Sequence, residues 1–118
     1  MFNSGHGQVK SGSNANGNWI RYPDGTQICF KAVTITLASS STWQSQYVYA
    51  VDMGLFPVAF TNTPVVNVTN GGAGVPYMGY IVRIKNITNS NAGSVDIARP
   101  DDYTCTFIIN MIAIGRWY

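Results

Sequence analysis

The stretch ARPDDYT, residues 98 to 104, brings a guanidinium, two carboxylates and a phenol together in a chain where only 10% of residues are Asp, Glu, Lys or Arg. Ordinary soluble domains carry about 25%. Arg99 can donate a fork of hydrogen bonds to hydroxyls, carboxylates or phosphates, while Asp101 and Asp102 can accept from paired sugar hydroxyls. Tyr103 offers a ring face for the apolar side of a pyranose. The competing reading is an Arg–Asp ion pair beside a turn pinned by Pro100. Two further segments could meet a ligand. SSSTWQSQY presents Trp43 among amides and hydroxyls, although a tryptophan tucked under its loop as core fits equally well. The long, glycine-rich TNGGAGVPYMGY sets Tyr77 after Pro76, or is a plain hairpin. Arg99, Asp101, Asp102, Tyr103, Trp43 and Tyr77 are therefore the candidate ligand-binding residues.

Catalysis has little to work with. His6 is the sole imidazole, and it sits among Gly and Ser with no second His or Cys at metal-ligand spacing, so neither a metal nor a cofactor is expected. Glu is absent, and Asp101-Asp102 is the one close carboxylate pair. Neighbouring residues of a strand point to opposite faces, whereas the carboxylates of a glycosidase converge on one bond from about 5 to 10 Å apart. No nucleophile elbow or phosphate-binding loop is present. The expectation is a binding protein, not an enzyme.

Composition narrows the class. At 118 residues the chain suits one domain, and with 46% hydrophobic residues it can bury a sizeable core. Solubility must come from Asn, Ser, Thr and Gly, residue types that disfavour helix interiors. The net charge of +2 arises from seven scattered basic residues. Without a basic run there is no nucleic-acid footprint, and no segment approaches the roughly 18 apolar residues of a membrane span. The opening MFNSGHGQVK carries no hydrophobic signal region. Cys29 and Cys105 are too few for a disulfide framework and read as two thiols in strands, with a bridge as the alternative.

Residues 1–17, rich in Gly, Ser and Asn, read as a flexible lead-in, and the domain is taken to run over residues 18–118. Tyr22-Pro23-Asp24-Gly25 fits a tight turn between two hairpin arms. In the second arm Ile28 and Phe30 share one parity while Val33, Ile35 and Leu37 share the other, which predicts a bulge or bend near Lys31. SQYVYAVDM, VAFTN, PVVNVTN, YMGYIVRIKNIT, GSVDIA and TCTFIINMIAIG all read as strands, divided by Gly, Pro and Asn. The fold class is all-β, an antiparallel sandwich of about six strands. The last strand is apolar on both faces: Cys105, Phe107, Ile109, Met111 and Ala113 on one, Ile108, Ile112 and Ile114 on the other. Either it is central between two covered layers, or its outer face packs on another subunit.

SGSNANGNWIRYPDGTQICF together with the terminal MIAIGRWY resembles the C-terminal domain of bacteriophage and prophage tail fibres. The middle of the chain is similar to H-type lectins, through Trp19, Pro64-Val65-Val66, Gly93 and Ile112-Ala113-Ile114. The resemblance covers nearly the whole chain from Asn14 onward. It implies a homotrimer at the virion's tail-fibre tip, made in the host cytoplasm and joined to the remainder of the fibre. Its partner would be a bacterial cell-surface glycan or another surface receptor, bound without cleavage. The lectin's sugar-binding residues do not map one by one onto this sequence, so none is carried over. Two other functions fit the same resemblance: a structural trimerisation cap, or a free-standing secreted H-type lectin. A polysaccharide depolymerase is disfavoured by the scarcity of carboxylates.

Overall fold

The structure is a computed structural model that describes residues 7–37, 41–43, 46–70, 80–99 and 105–118. Among these it contains nine strands: β1 (Lys10–Asn14), β2 (Gly17–Arg21), β3 (Thr26–Leu37), β4 (Ser41–Trp43), β5 (Gln46–Asp52), β6 (Val65–Asn70), β7 (Tyr80–Lys85), β8 (Ser94–Arg99) and β9 (Cys105–Arg116). They form two antiparallel sheets, ordered β1-β2-β3-β9-β6 and β4-β5-β8-β7. The expected sandwich is what the chain adopts, with nine strands among the described residues where about six were expected.

The core lies between the sheets. Cys29, Phe107, Ile109, Met111 and Ala113 from the five-stranded sheet pack with Val51, Val95 and Ile97 from the four-stranded one, and Met53, Phe56, Phe60 and Ala92 join the same cluster. Phe56 and Phe60 meet edge to face, with ring centroids 5.0 Å apart. Residues 58–62, expected to be a strand, form none. The first two carbonyls are satisfied instead by the fully buried Gln27, whose Nε2 donates to Val58 O (3.3 Å) and Ala59 O (3.1 Å), and Asn89 Nδ2 donates to Phe60 O (3.2 Å). Side-chain amides thus supply hydrogen bonds that a strand ladder would have given.

β3 and β9 pair without interruption from Thr26 opposite Arg116 to Leu37 opposite Cys105, so the bulge expected near Lys31 is absent. Ile28 and Phe30 simply belong to the outer face, and Cys29, Lys31, Val33 and Ile35 to the inner. The register irregularity of the sandwich sits in β7, between Ile81 and Arg83, and it lets Ile81 and Ile84 oppose the core residues Ile97 and Val95 while Arg83 opposes Asp96.

The same register separates the cysteines. Cys29 lies opposite Ala113, whereas Cys105 lies opposite Leu37, eight positions further along β3. At about 3.3 Å per residue this far exceeds the reach of a disulfide. Cys29 is a free, buried thiol, and burial pushes it up from its ordinary value.

β1 falls within the stretch read as a lead-in, so the described sheet begins at Lys10 and not near Asn18. An edge strand of sequence KSGSN has no apolar alternation to announce it, and it is held by backbone pairing to β2. The Tyr22–Gly25 turn is as expected. Gly25 N donates to Tyr22 O (3.0 Å) and Gly25 adopts φ +100°, which a glycine takes at little cost.

Candidate functional site

Strand order and register sort the molecule into two ends. At one end stand the Tyr22–Gly25 turn, Lys10 opposite Arg21, and the last residues of β9. At the other, β3 ends opposite the start of β9, while Arg99 stands opposite Tyr47 and Tyr80 opposite Ala98. Of the expected ligand-binding residues, Arg99 and Trp43 stand at this second end. Arg99 closes β8, and Trp43 closes β4 opposite Gln46. Asp101, Asp102, Tyr103 and Tyr77 lie outside the described residues.

The first end is clamped. Trp117 N donates to Gly25 O (2.9 Å) and Trp117 Nε1 to Tyr22 O (2.8 Å). Arg116 donates to Asp24 O (2.5 Å), and the Tyr118 hydroxyl to Pro23 O. The Arg21 guanidinium lies over both Trp19 (5.5 Å) and Trp117 (5.1 Å), and its Nε donates to Gln27 Oε1 (2.7 Å). Asp24 accepts from Thr26 N (2.9 Å), and that bond, first among several causes, holds its carboxyl below the usual range. The aromatic ends of the two sequence motifs are thus bound to each other, as structural groups.

Between the two ends, on the side of the sandwich, lies a polar cleft of about 390 Å³. It is walled by the β1–β2 turn (residues 14–18), the middle of β3 (31–33) and the end of β5 with the two residues that follow (52–54). Lys31 is on the inner face of β3, one residue beyond the last pair with β2, with Gly17 packed against its Cβ. Its Nζ donates to Met53 O (2.5 Å) and Leu55 O (2.8 Å). Burial lowers the Lys31 pKa from its ordinary value, and the nearby Asp52 carboxylate offsets part of that effect. Asp52 Oδ1 accepts from Gly54 N (2.9 Å). Asn14 is committed to the architecture: Nδ2 donates to Pro57 O (2.8 Å) and Oδ1 accepts from Asn16 N (2.8 Å). Sequence reasoning passed over this cleft because its residues come from three separated segments. The one local signal was NANGN, whose clustered Asn and Gly mark a turn rich in free amides.

The outer faces of the two sheets differ in kind. On the four-stranded sheet Asp96 Oδ2 accepts from Arg83 Nε (2.6 Å), and Lys85 Nζ makes a charge contact with Oδ1 at 3.2 Å. On the five-stranded sheet Ile20, Ile28, Ile114 and Val65 form one row across four strands, with Phe30 and Ile112 paired beside it. Val65 is 73% exposed, Ile114 45%, Ile112 40% and Phe30 38%. The remaining outward positions between Ser11 and Thr106 are Ser, Asn, Thr, Ala and Ile, with no charge among them. Arg116 stands at the end of this face, turned onto Asp24 O.

These two sheets and their order define an all-β antiparallel sandwich, and solved structures share it. An N-truncated R1-type pyocin tail fibre superposes with a TM-score of 0.64 at 16% identity, covering 92% of this chain and 87% of that one. A longer C-terminal piece of the P. aeruginosa R1 pyocin fibre gives 0.50 at 19% identity, over 92% of this chain and 28% of that one. At such identities the likeness is one of fold. No protein-family model and no curated protein matches the sequence.

Proposed function

We propose that this chain is the receptor-binding tip domain of a phage or phage-tail-like fibre, a homotrimer that holds a bacterial surface glycan without cleaving it. The observation that carries this reading is the outer face of the five-stranded sheet. It carries six apolar residues in one contiguous patch, four of them exposed and Ile20 and Ile28 half-buried, with Arg116 at its end as the one charge, whereas the opposite sheet carries an ion-paired cluster. Contiguous exposed apolar surface of that kind marks an interface. Copies of the same chain fit it, because a patch with no charge inside it meets its own kind without repulsion. The shared fold with pyocin tail fibres supports the same assignment.

Weak sites need repetition. A shallow polar site binds a monosaccharide at about 4 kcal/mol, near millimolar strength, and three linked copies raise avidity by roughly 10² to 10⁴. The end that gathers Arg99 and Trp43 is the one remote from the β1 entrance, so a fibre joined before Lys10 would leave it free for contact. Sedimentation velocity tests the assembly and an array of bacterial surface polysaccharides tests the binding. The expected result is three times the mass of the chain, with retention of array glycans and no release of reducing ends. A monomer at every concentration that retains no glycan overturns the proposal.

A further inference from the structure

We infer that the side cleft between the β1–β2 turn and Asp52 is itself a binding site for a neutral saccharide unit with adjacent hydroxyls. This rests on the receptor-binding reading above and names a place for it distinct from the end that bears Arg99.

Three side chains in the cleft carry polar capacity that the protein does not use. The Lys31 ammonium has three N–H donors and spends two, on Met53 O and Leu55 O. Asp52 spends Oδ1 on Gly54 N, and its second oxygen accepts from no described residue. Asn16, in the turn that walls the cleft, has a side-chain amide with no partner among the described residues. The set supplies donors and acceptors together, and the one positive charge is matched by one negative charge.

That balance selects the ligand. An anion would meet Lys31 but be repelled by Asp52, and a cation would face the reverse. A hydroxyl both donates and accepts, so two neighbouring hydroxyls can take the Lys31 N–H and give a proton bond to Asp52 at once. The cleft's volume lies within the range of small-molecule sites.

The walls are fixed before any ligand arrives. Gly17 has φ +128°, and a Cβ there would stand 2.7 Å from Phe30 O, so the turn lies directly on β3. Asn14 ties that turn to Pro57, and Lys31 ties β3 to residues 53–55. Preorganised groups lose little freedom on binding.

The test uses the whole protein, titrated with the methyl glycosides of glucose, galactose, mannose and rhamnose while the amides of Gly17 and Gly54 are followed by NMR. At least one glycoside should move both amides in the millimolar range. Asp52→Asn keeps the acceptor for Gly54 and removes the other, so it should weaken that titration and array binding about tenfold or more, with oligomeric mass and melting temperature unchanged. Asn16→Ala, in an exposed turn, serves as the second variant should Asp52→Asn fail to fold. Array binding with silent cleft amides, or binding undiminished in both variants, overturns the cleft and leaves the receptor-binding reading standing. Cleft shifts without array binding support the cleft and count against that reading; neither signal overturns both.

Discussion

Asp96 shows how a single carboxylate serves a sheet face that has few charges. It is 4% exposed on the outer side of β8, where burial raises its pKa, yet the bonds and charges of Arg83 and Lys85 outweigh that and bring the carboxyl below its ordinary 3.8. The native state therefore binds the proton less readily than the unfolded chain. The resulting stability is present in full above 3.8 and is lost as pH falls through the native value. Arg83 is largely in water, so solvent screening trims the contribution of the pair. Asp96→Asn should cost about 1 to 2 kcal/mol at neutral pH. Urea denaturation at pH 7 and again at successively lower pH checks this, since the gap between variant and parent should close on acidification.

Elements were legible where burial alternates with exposure. β5, β6, β8 and β9 appear where their apolar runs placed them, because one face of each meets the core. β1 was not, since an edge strand of Ser, Gly and Asn is held by its backbone, and residues 58–62 misled because Gln27 and Asn89, distant in sequence, bond their first three carbonyls. The parity change in β3 was visible but misread: it marks an apolar outer face, which resembles a bulge when only one buried face is assumed. Of the candidate site, residue type singled out Arg99 and Trp43, which stand at strand ends, while the cleft needed three segments brought together by the fold. The clamp joining β9 to the β2–β3 turn was foreshadowed only as two motifs at opposite ends of the chain. Trp117→Ala removes the bond to Tyr22 O and one of the two rings that stack on Arg21. It should cost about 2 kcal/mol, seen as a lower thermal midpoint and faster amide exchange over residues 22–26.

For the whole molecule the decisive quantity is how much apolar surface one copy leaves in water. Fully burying a large aliphatic or aromatic side chain is worth about 1.5 to 3 kcal/mol, and the residues of the outer patch are partly covered already, so about 1 kcal/mol each remains to be gained. Several such residues per copy, repeated in three copies, provide a driving force that can exceed the loss of translational and rotational freedom on association. A single charge in the middle of the patch reverses the balance, because a buried ammonium with no partner costs several kcal/mol and the surrounding Asn and Thr side chains offer no counter-charge. Ile112 is the position to change: it stands between Phe30 and Asn67, and its outward side chain leaves the core untouched. Ile112→Lys should fold with the same far-ultraviolet circular dichroism yet sediment as a monomer. Its affinity for monovalent glycosides should match the parent's, while its retention on polysaccharide arrays falls by roughly 10² or more as avidity is lost. If the variant keeps its oligomeric mass, the patch is not the subunit interface, and the contrast between the two sheet faces needs another cause.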